Sequence, residues 1–300
     1  MKIAITGANS AVGQAILRSK QKQDDTLFVA AVRSNRAAEQ LRSRPGNADS
    51  VVQISYDDPA SLDAAFRDAS SVIHLAGILV ETPNSTYETA NVASTRAVVD
   101  AAKRNGVRKI VLVSANGADE SSSNRYYRTK GEAESLVRAS GLTFTVLRAP
   151  LLLGPGTAGS ETLGRHLKHG KAKLIGDGRN FQQPLHVDDL ARAAILAAEQ
   201  PSVAKNLTLD LVGPVSLPDR ELLERAARLL GRQVRIGSIP KPLLSLMLAI
   251  RRLTGSKGFS QDALEVITAD TRLDPLPAAT ALGIQLTGID EMIQDSVGQG

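Results

Sequence analysis

The stretch that decides the fold is the amino-terminal MKIAITGANSAVGQAILRSKQKQDDTLFVAAVR, residues 1–33. Within it, residues 2–6 form a short apolar run with β-branched side chains, which is typical of a strand buried on both faces. The run breaks at the glycine-bearing residues 7–13, after which apolar residues recur with helical spacing. A second apolar run over 27–32 ends on Arg33. This order predicts a strand, a tight turn, a helix and a parallel strand.

Such a unit is suited to binding a dinucleotide. Gly7 allows the sharp turn after the strand, and Gly13 allows the helix to lie close to the strand. The free N–H groups and the positive dipole end of the helix would then face a pyrophosphate. Ser10 stands where the usual middle glycine would be, and its Cβ is expected to crowd the phosphates. The alternative interpretation is an ordinary glycine-containing turn between a strand and a helix.

The residue after the second strand indicates which dinucleotide binds. An acidic side chain there would accept hydrogen bonds from the adenosine ribose, whereas an arginine accommodates a 2′-phosphate. The chain has Arg33 and Arg36 at this point, with no acid until Glu39. The sequence therefore favours NADP(H), with NAD(H) as the alternative cofactor. A solvated loop arginine is the alternative interpretation of Arg33.

Composition limits the class of protein. A chain of 300 residues allows one large domain, or one domain with a smaller annex, around a substantial core. There is no cysteine, and the 4 histidines lack a convincing third ligand, so no metal site is expected. Met1 opens directly onto the first strand and no apolar stretch approaches membrane-spanning length, which favours a cytoplasmic protein. The net charge of +5 is modest, and we expect it to be spread along the chain, so no nucleic-acid partner is expected.

Strands and helices alternate through the first half of the chain. Further apolar runs predict strands over 51–56, 71–75, 109–114 and 143–147. Helical spacing of apolar residues predicts helices over 36–44, 61–66, 87–105 and 126–140. This alternation predicts an α/β protein with a doubly wound parallel sheet of the Rossmann type and right-handed crossovers.

Ligands of such sheets bind beyond the carboxyl ends of the strands, so the loops at that edge should converge on the cofactor. The residues expected to contact it are Thr6, Gly7, Asn9, Ser10, Ala11, Val12, Gly13, Arg33, Asp57, Leu75, Ala76, Gly77 and Pro150.

A reactive group of residues lies at the same predicted edge. Ser114 ends the fifth strand, and Tyr126 and Lys130 lie four residues apart on one face of the next helix. Tyrosine has an unperturbed pKa of about 10, which a nearby ammonium and an oxidised nicotinamide would lower. Ser114 could hold the substrate oxygen while Tyr126 exchanges a proton. A chance pairing of tyrosine and lysine is the alternative, and Tyr127 is a rival for the aromatic role.

The chain resembles the short-chain dehydrogenase/reductase superfamily, of the extended or atypical type. The motifs that carry the resemblance are Thr6-Gly7, Ser114, Tyr126 with Lys130, Leu147-Arg148-Ala149-Pro150 and Gly154-Pro155-Gly156. Residues 184–191 and 211–214 are similar to a branch of NAD(P)H-binding proteins related to the Rossmann-fold accessory subunit of respiratory complex I. The resemblance implies that Ser114 orients the substrate, that Tyr126 is the proton donor or acceptor, and that Lys130 also contacts the nicotinamide ribose.

Shorter elements follow from Leu151 onward. They predict helices over 160–169, 187–199, 221–230, 262–268 and 289–297, and strands near 173–175 and 207–211. We expect a dinucleotide-binding domain over 1–150 and a smaller substrate-side annex over 151–300, with elements around 185–212 returning to the main sheet. Ser216 and Asp219 predict a capping box before the helix over 221–230.

The most distinctive annex stretch is residues 240–253. Its apolar residues surround more of a helix than one buried stripe requires, and Arg251 and Arg252 follow them. One hypothesis is a lid for an apolar substrate, or a peripheral contact with a membrane or a partner protein. The alternative is a helix packed against its own domain.

Two classes of function remain. The first is an NADP(H)-dependent oxidoreductase acting on the carbonyl or hydroxyl group of a small molecule, with an apolar substrate as one option. Ser114, Tyr126 and Lys130 together favour this class. The second is a catalytically silent NADPH-binding protein with a structural, assembly or sensing role, to which Ser10 in place of glycine gives some weight. A sugar-nucleotide epimerase is less favoured, because the annex shows no convincing diphosphate clamp.

Overall fold

The computed structural model describes residues 1–20, 25–43, 48–75, 77–200, 202–253 and 258–297, of which 251–253 are described by their backbone alone. The strands are β1 (Lys2–Thr6), β2 (Leu27–Val32), β3 (Ser50–Gln53), β4 (Ser71–His74), β5 (Lys109–Ala115), β6 (Thr143–Ala149), β7 (Leu152–Leu153), β8 (Lys171–Ile175), β9 (Phe181–Gln182), β10 (Leu185–His186), β11 (Leu207–Asp210), β12 (Leu217–Pro218) and β13 (Arg235–Ile239).

The helices are α1 (Ala11–Ser19), α2 (Asn35–Arg42), α3 (Pro59–Phe66), α4 (Ser94–Arg104), α5 (Arg125–Arg138), α6 (Ala158–His169), α7 (Val187–Glu199), α8 (Asp219–Leu229), α9 (Lys241–Leu253), α10 (Gln261–Ile267), α11 (Leu276–Leu282) and α12 (Ile289–Val297). A π-helical segment, Glu88–Ala93, leads directly into α4.

The strands of the main sheet follow the order β11-β6-β5-β4-β1-β2-β3 and pair in parallel. The chain moves from β1 to β2 on one side and later to β4 on the other, so the strand order reverses beside β1. Ligands of open α/β sheets bind at such a reversal. The predicted doubly wound Rossmann sheet is confirmed.

Alternate residues of β1 supply the two cores that sandwich the sheet. Ile3 and Ile5 pack in one core with α1, α2 and α7, whereas Ala4 packs in the other with α3 and α4. All three are fully inaccessible to solvent. Burial on both faces explains why the strand is a continuous apolar run rather than an alternating one.

The annex has a core of its own, in which α6, α8 and α12 meet through residues such as Leu167, Leu223 and Met292. Not all of the later chain lies there. β11 pairs with β6 at the edge of the main sheet, and α7 packs against α1. A domain boundary at residue 150 stays a prediction.

The third strand was predicted too long. β3 ends at Gln53, and Tyr56 lies in a turn where the backbone N–H of Asp58 donates to the carbonyl of Ser55 at 3.2 Å. The carboxylate of Asp58 also caps α3, which explains why that helix begins at Pro59. The local turn therefore overrides the apolar pattern.

The predicted capping box is wrong. α8 begins at Asp219 after Pro218, which makes no side-chain cap. The hydroxyl of Ser216 instead donates to the carbonyl of Thr271 at 2.7 Å, and the amide of Asn180 donates to Asp219 at 2.6 Å. Contacts distant in sequence satisfy both groups.

Three other features differ from the sequence predictions. The helix predicted over 87–105 is divided into the π-helical segment and α4. Neither α11 nor the strands β7, β9, β10, β12 and β13 were predicted. Several predicted helix ends and the chain end lie outside the described residues, namely 44–46, Pro201 and 298–300.

The close approach of α1 to the turn before it gives a stability prediction. A Cβ on Gly13 would lie 2.5 Å from the carbonyl oxygen of Ala8. We expect Gly13→Ala to lower the free energy of unfolding by about 1–3 kcal/mol through overpacking. In the control Gly164→Ala, a helical Cβ meets nothing within 4 Å, and a gain of about 0.5–1 kcal/mol is expected. Urea unfolding measures both, and a Gly13→Ala protein as stable as wild type contradicts the constraint.

Candidate dinucleotide site

The turn after β1 is built around the start of α1. Gly7 has φ 74°, a conformation that glycine adopts without strain. Ser10 is the N-cap of α1, and its hydroxyl accepts a hydrogen bond from the N–H of Gly13 at 3.1 Å. The backbone of Ser10 is extended (φ −69°), so this position does not require glycine. Ser10 therefore caps the helix start, and the expectation that its Cβ crowds the phosphates stays a prediction.

A cavity of about 160 Å³ lies at the carboxyl edge of the sheet, beside this turn. It brings together six of the predicted cofactor residues, namely Gly7, Asn9, Ser10, Arg33, Leu75 and Gly77. It is also lined by three residues that sequence reasoning missed, Tyr56, Ile78 and Ala90. The position of Tyr56 just beyond the third strand could have revealed it.

The remaining predicted cofactor residues lie around the cavity rather than in its lining. Ala11, Val12 and Gly13 form the first turn of α1. Asp57 is exposed in the turn before α3, and Pro150 follows β6. Thr6 and Lys130 are buried beneath the sheet edge, as shown below, and Ala76 lies outside the described residues.

Arg33 lines the cavity. Its side chain is exposed, and the next residue, Ser34, caps α2 by accepting from the N–H of Ala37 at 3.2 Å. Burial raises the pKa of the Tyr56 hydroxyl, which a hydrogen bond with Thr6 and the charge of Arg33 partly offset. A cation and a helix N-terminus thus lie next to each other, which suits an anionic group.

His74 lies buried beneath the edge of the sheet. Its Nδ1 is 2.6 Å from the hydroxyl oxygen of Thr6, and its Nε2 is 3.2 Å from that of Thr95. Burial lowers the pKa of His74 to about 3, with a further contribution from the charge of Lys130. The ring is therefore neutral at physiological pH.

Two polar groups lie against Gly77. A Cβ on Gly77 would lie 3.1 Å from Oδ1 of Asn91 and 3.3 Å from Nζ of Lys130. Asn91 belongs to the π-helical segment, and its amide donates to the hydroxyl of Thr129 at 3.0 Å. Its Oδ1 is buried without a hydrogen-bond partner among the described residues. The interruption of regular helix, which often marks functional sites, was invisible in the apolar spacing.

Lys130 lies on the same face of α5 as Tyr126, as its spacing predicts, but it is tied to the sheet. Its ammonium donates to the carbonyl of Val113 at 2.9 Å. Burial lowers the pKa of Lys130 to about 8, and the nearby carboxylate of Glu134 opposes that change.

Tyr126 lies in an aromatic cluster at the start of α5. Its ring meets those of Tyr87 and Tyr127 edge-on, with centroids 5.7 and 5.6 Å away. Burial raises the pKa of Tyr126, and both neighbouring tyrosines raise it further. The sequence led us to expect that the charge of Lys130 would lower this pKa, but Lys130 is not among the groups that shift it. Tyr126 is therefore a phenol at neutral pH.

Ser114 forms a buried hydrogen bond with a residue that sequence reasoning missed. Its hydroxyl donates to Glu134 at 2.6 Å. The carboxylate of Glu134 is fully buried and also accepts from Arg148 at 2.7 and 2.9 Å and from Arg138 at 3.0 Å. The substrate role assigned to Ser114 stays a prediction, because this hydroxyl already has an acceptor.

A doubly wound parallel sheet, with a capped helix N-terminus and a cavity at the point of strand reversal, defines a Rossmann-type dinucleotide-binding protein. A family model described as NAD(P)H-binding matches residues 7–201, and the chain belongs to that family. Together with its relatives and structural neighbours, this match identifies an atypical member of the short-chain dehydrogenase/reductase superfamily, as the sequence motifs indicated.

Two curated relatives span most of the chain. The mitochondrial NADH dehydrogenase [ubiquinone] 1 alpha subcomplex subunit 9 of Arabidopsis thaliana is 27% identical over 281 residues, covering 89% of this chain and 69% of that protein. The ceramide reductase of Caulobacter vibrioides is 26% identical over 253 residues, covering 80% and 74%.

Solved structures share the fold. The UDP-glucuronic acid 4-epimerase of Bacillus cereus, solved with UDP-glucuronic acid and NAD, superposes with a TM-score of 0.78. It is 16% identical, and the match covers 99% of this chain and 98% of that chain. The family match and the curated relatives identify the chain as an NAD(P)-binding protein of an oxidoreductase-like family.

The buried imidazole gives a pH prediction. The pKa of His74 in the folded state, about 3, lies below its ordinary value of 6.5. The stability contributed by the neutral ring is therefore present above pH 6.5 and lost as the pH falls toward 3, at about 1.4 kcal/mol per pH unit. We expect His74→Gln to flatten the decline in unfolding free energy between pH 6.5 and 5. The exposed control His169→Gln should keep the wild-type slope; equal slopes in all three proteins contradict the assignment.

Proposed function

We propose that this protein is an NADP(H)-dependent oxidoreductase that acts on the carbonyl or hydroxyl group of a small molecule. The observation that carries the proposal is the single cavity shared by Ser10, Arg33 and Gly77. Ser10 caps the N-terminus of α1, and Gly77, which has no Cβ, lies beside the buried ammonium of Lys130. These are the surroundings that a dinucleotide requires.

The residues present fit such a cofactor. The N–H groups in the first turn of α1 would hold the pyrophosphate, and Arg33 would hold a 2′-phosphate. The unpartnered Oδ1 of Asn91 supports a polar ligand near Gly77. When bound, the nicotinamide supplies or accepts the hydride.

Reduction is the proposed working direction, with Tyr126 as the proton donor. A phenol that burial keeps protonated at neutral pH can donate its proton to a carbonyl oxygen. The ceramide reductase relative is consistent with a reductive reaction on an apolar substrate.

One observation favours a second candidate, a catalytically silent NADPH-binding protein. The hydroxyl of Ser114 donates to Glu134, whose carboxylate is held by Arg148. Unless that hydrogen bond is exchanged, Ser114 has no proton to offer a substrate oxygen. The relative that is a subunit of NADH dehydrogenase supports a structural or assembly role of this kind.

The cofactor preference is tested at Arg33. Because the guanidinium is proposed to hold the 2′-phosphate, Arg33→Ala should weaken NADPH binding about 10–100-fold and leave NADH binding unchanged. Fluorescence titration of each reduced coenzyme gives the dissociation constants. The control is Arg67→Ala, an exposed arginine at the opposite edge of the sheet, which should behave as wild type. An unchanged ratio of NADPH to NADH affinity in Arg33→Ala removes the argument.

The chemical role is tested at Tyr126. A panel of aldehydes and ketones with short and long alkyl chains is screened for NADPH oxidation. With a compound that wild type reduces, Tyr126→Phe should lower kcat about 100-fold or more while retaining the dissociation constant for NADPH. Tyr127→Phe is the matched control and should keep its rate. Full activity in Tyr126→Phe contradicts the mechanism, and tight NADPH binding without turnover of any compound favours the silent alternative.

A further inference from the structure

Helix α9 carries two apolar stripes. Leu244 and Leu248, one turn apart, are half-buried on the inner side. The outer stripe consists of Leu243, Leu246, Met247 and Ile250, of which the last three lie three, four and seven residues from Leu243. Their exposed fractions are 51%, 58%, 58% and 56% in that order. Packing against the domain therefore accounts for the inner side only. Four large apolar side chains in one exposed row indicate a contact surface.

Along the sequence, positive charge is concentrated in the segment that contains this helix, although one of its cations, Arg225, pairs with Asp290 of α12. Residues 225–261 contain eight of the 36 lysines and arginines and none of the 31 acidic residues. The rest of the chain therefore has 28 basic against 31 acidic residues and is slightly acidic. The expectation that the charge is spread along the chain is wrong. The eight are Arg225, Arg228, Arg232, Arg235, Lys241, Arg251, Arg252 and Lys257.

The two-stranded ribbon that leads into α9 adds to this charge. β13 pairs in parallel with β8, which sets Arg235 directly beside Lys171, with Lys173 two residues further on. All three are exposed, and like Lys241 they form no ion pair with another described residue. Adjacent like charges repel, and an anionic surface would relieve that repulsion.

We propose that the outer stripe, together with the exposed cations Lys171, Lys173, Arg235 and Lys241, docks the protein on the surface of an anionic phospholipid bilayer. An apolar face flanked by lysine and arginine is typical of a helix that lies in the plane of the interface. Each cation near an anionic bilayer adds to the attraction. Among the described residues, no helix has the length and apolar character needed to cross a bilayer.

The docking surface is connected to the candidate site through one helix. α9 packs against α10, and Asp262 and Glu265 of α10 accept hydrogen bonds from Asn124 and Arg125 at the start of α5. The helix that carries Tyr126 therefore begins on the element that supports α9. Docking does not depend on the proposed reaction, but it would bring this end of the site toward a lipid phase.

The experiment is flotation of the full chain with vesicles of phosphatidylcholine containing about 30% phosphatidylglycerol, at low ionic strength. We expect wild type to float with them and to partition at least about tenfold less into pure phosphatidylcholine. The variant Leu246→Glu/Met247→Glu should lose at least about tenfold in partitioning. The matched control is Leu276→Glu on α11, whose leucine is 67% exposed, and it should float as wild type does.

Two outcomes overturn the proposal. One is wild-type protein that stays in the lipid-free fraction. The other is flotation of the Leu246→Glu/Met247→Glu variant equal to that of wild type. NADPH affinity is measured on all proteins and should be the same, so a failure of docking is distinguished from a failure of the proposed function.

Discussion

The structure depends on the close contact between α1 and the turn that follows β1. With only hydrogen at Gly13, the helix can lie against the backbone of Ala8, where a Cβ would be 2.5 Å from the carbonyl oxygen. This contact holds the capped N-terminus of α1 at the carboxyl edge of the sheet, where the strand order reverses. The cavity exists because other strand ends reach the same edge, which brings Arg33 and Gly77 within one space.

Beneath that edge, burial determines which groups carry charge. The pKa of His74 is lowered and that of Tyr126 is raised, so both are neutral near pH 7. Lys130 has the carbonyl of Val113 as its partner, and Glu134 has two arginines. Tyr126, Lys130 and Glu134 follow each other at intervals of four along α5. One helical face thus links the aromatic cluster to the ion pair that also holds Ser114.

The sequence predicted those parts of the fold that local pattern controls. The bounds of β1, β2, α7 and α12 agree with the structure, because each is an apolar run or a helical stripe flanked by residues that end it. The glycine turn and six cavity residues followed from the same pattern. The parts that sequence reasoning missed depend on contacts distant in sequence. Tyr56 reaches the cavity because a turn ends β3. Glu134 of α5 forms its buried ion pair because the fold brings Arg148 of β6 next to it.

The same distinction applies to the annex. The helix α9 was predicted from its apolar residues. Which of them face solvent depends on how the helix packs, and their spacing does not determine that. Ser216 and Asp219 matched a capping pattern, yet Thr271 and Asn180 satisfy them instead. Local chemistry offers partners to each polar group, and the tertiary fold selects among them.

The central claim is that the α1 N-terminus and Arg33 form a site for a phosphorylated dinucleotide. Isothermal titration calorimetry of the wild-type chain with NADPH and then with NADH tests it most directly. The account predicts one binding site per chain, with NADPH bound more tightly than NADH. No heat of binding with either coenzyme would contradict it.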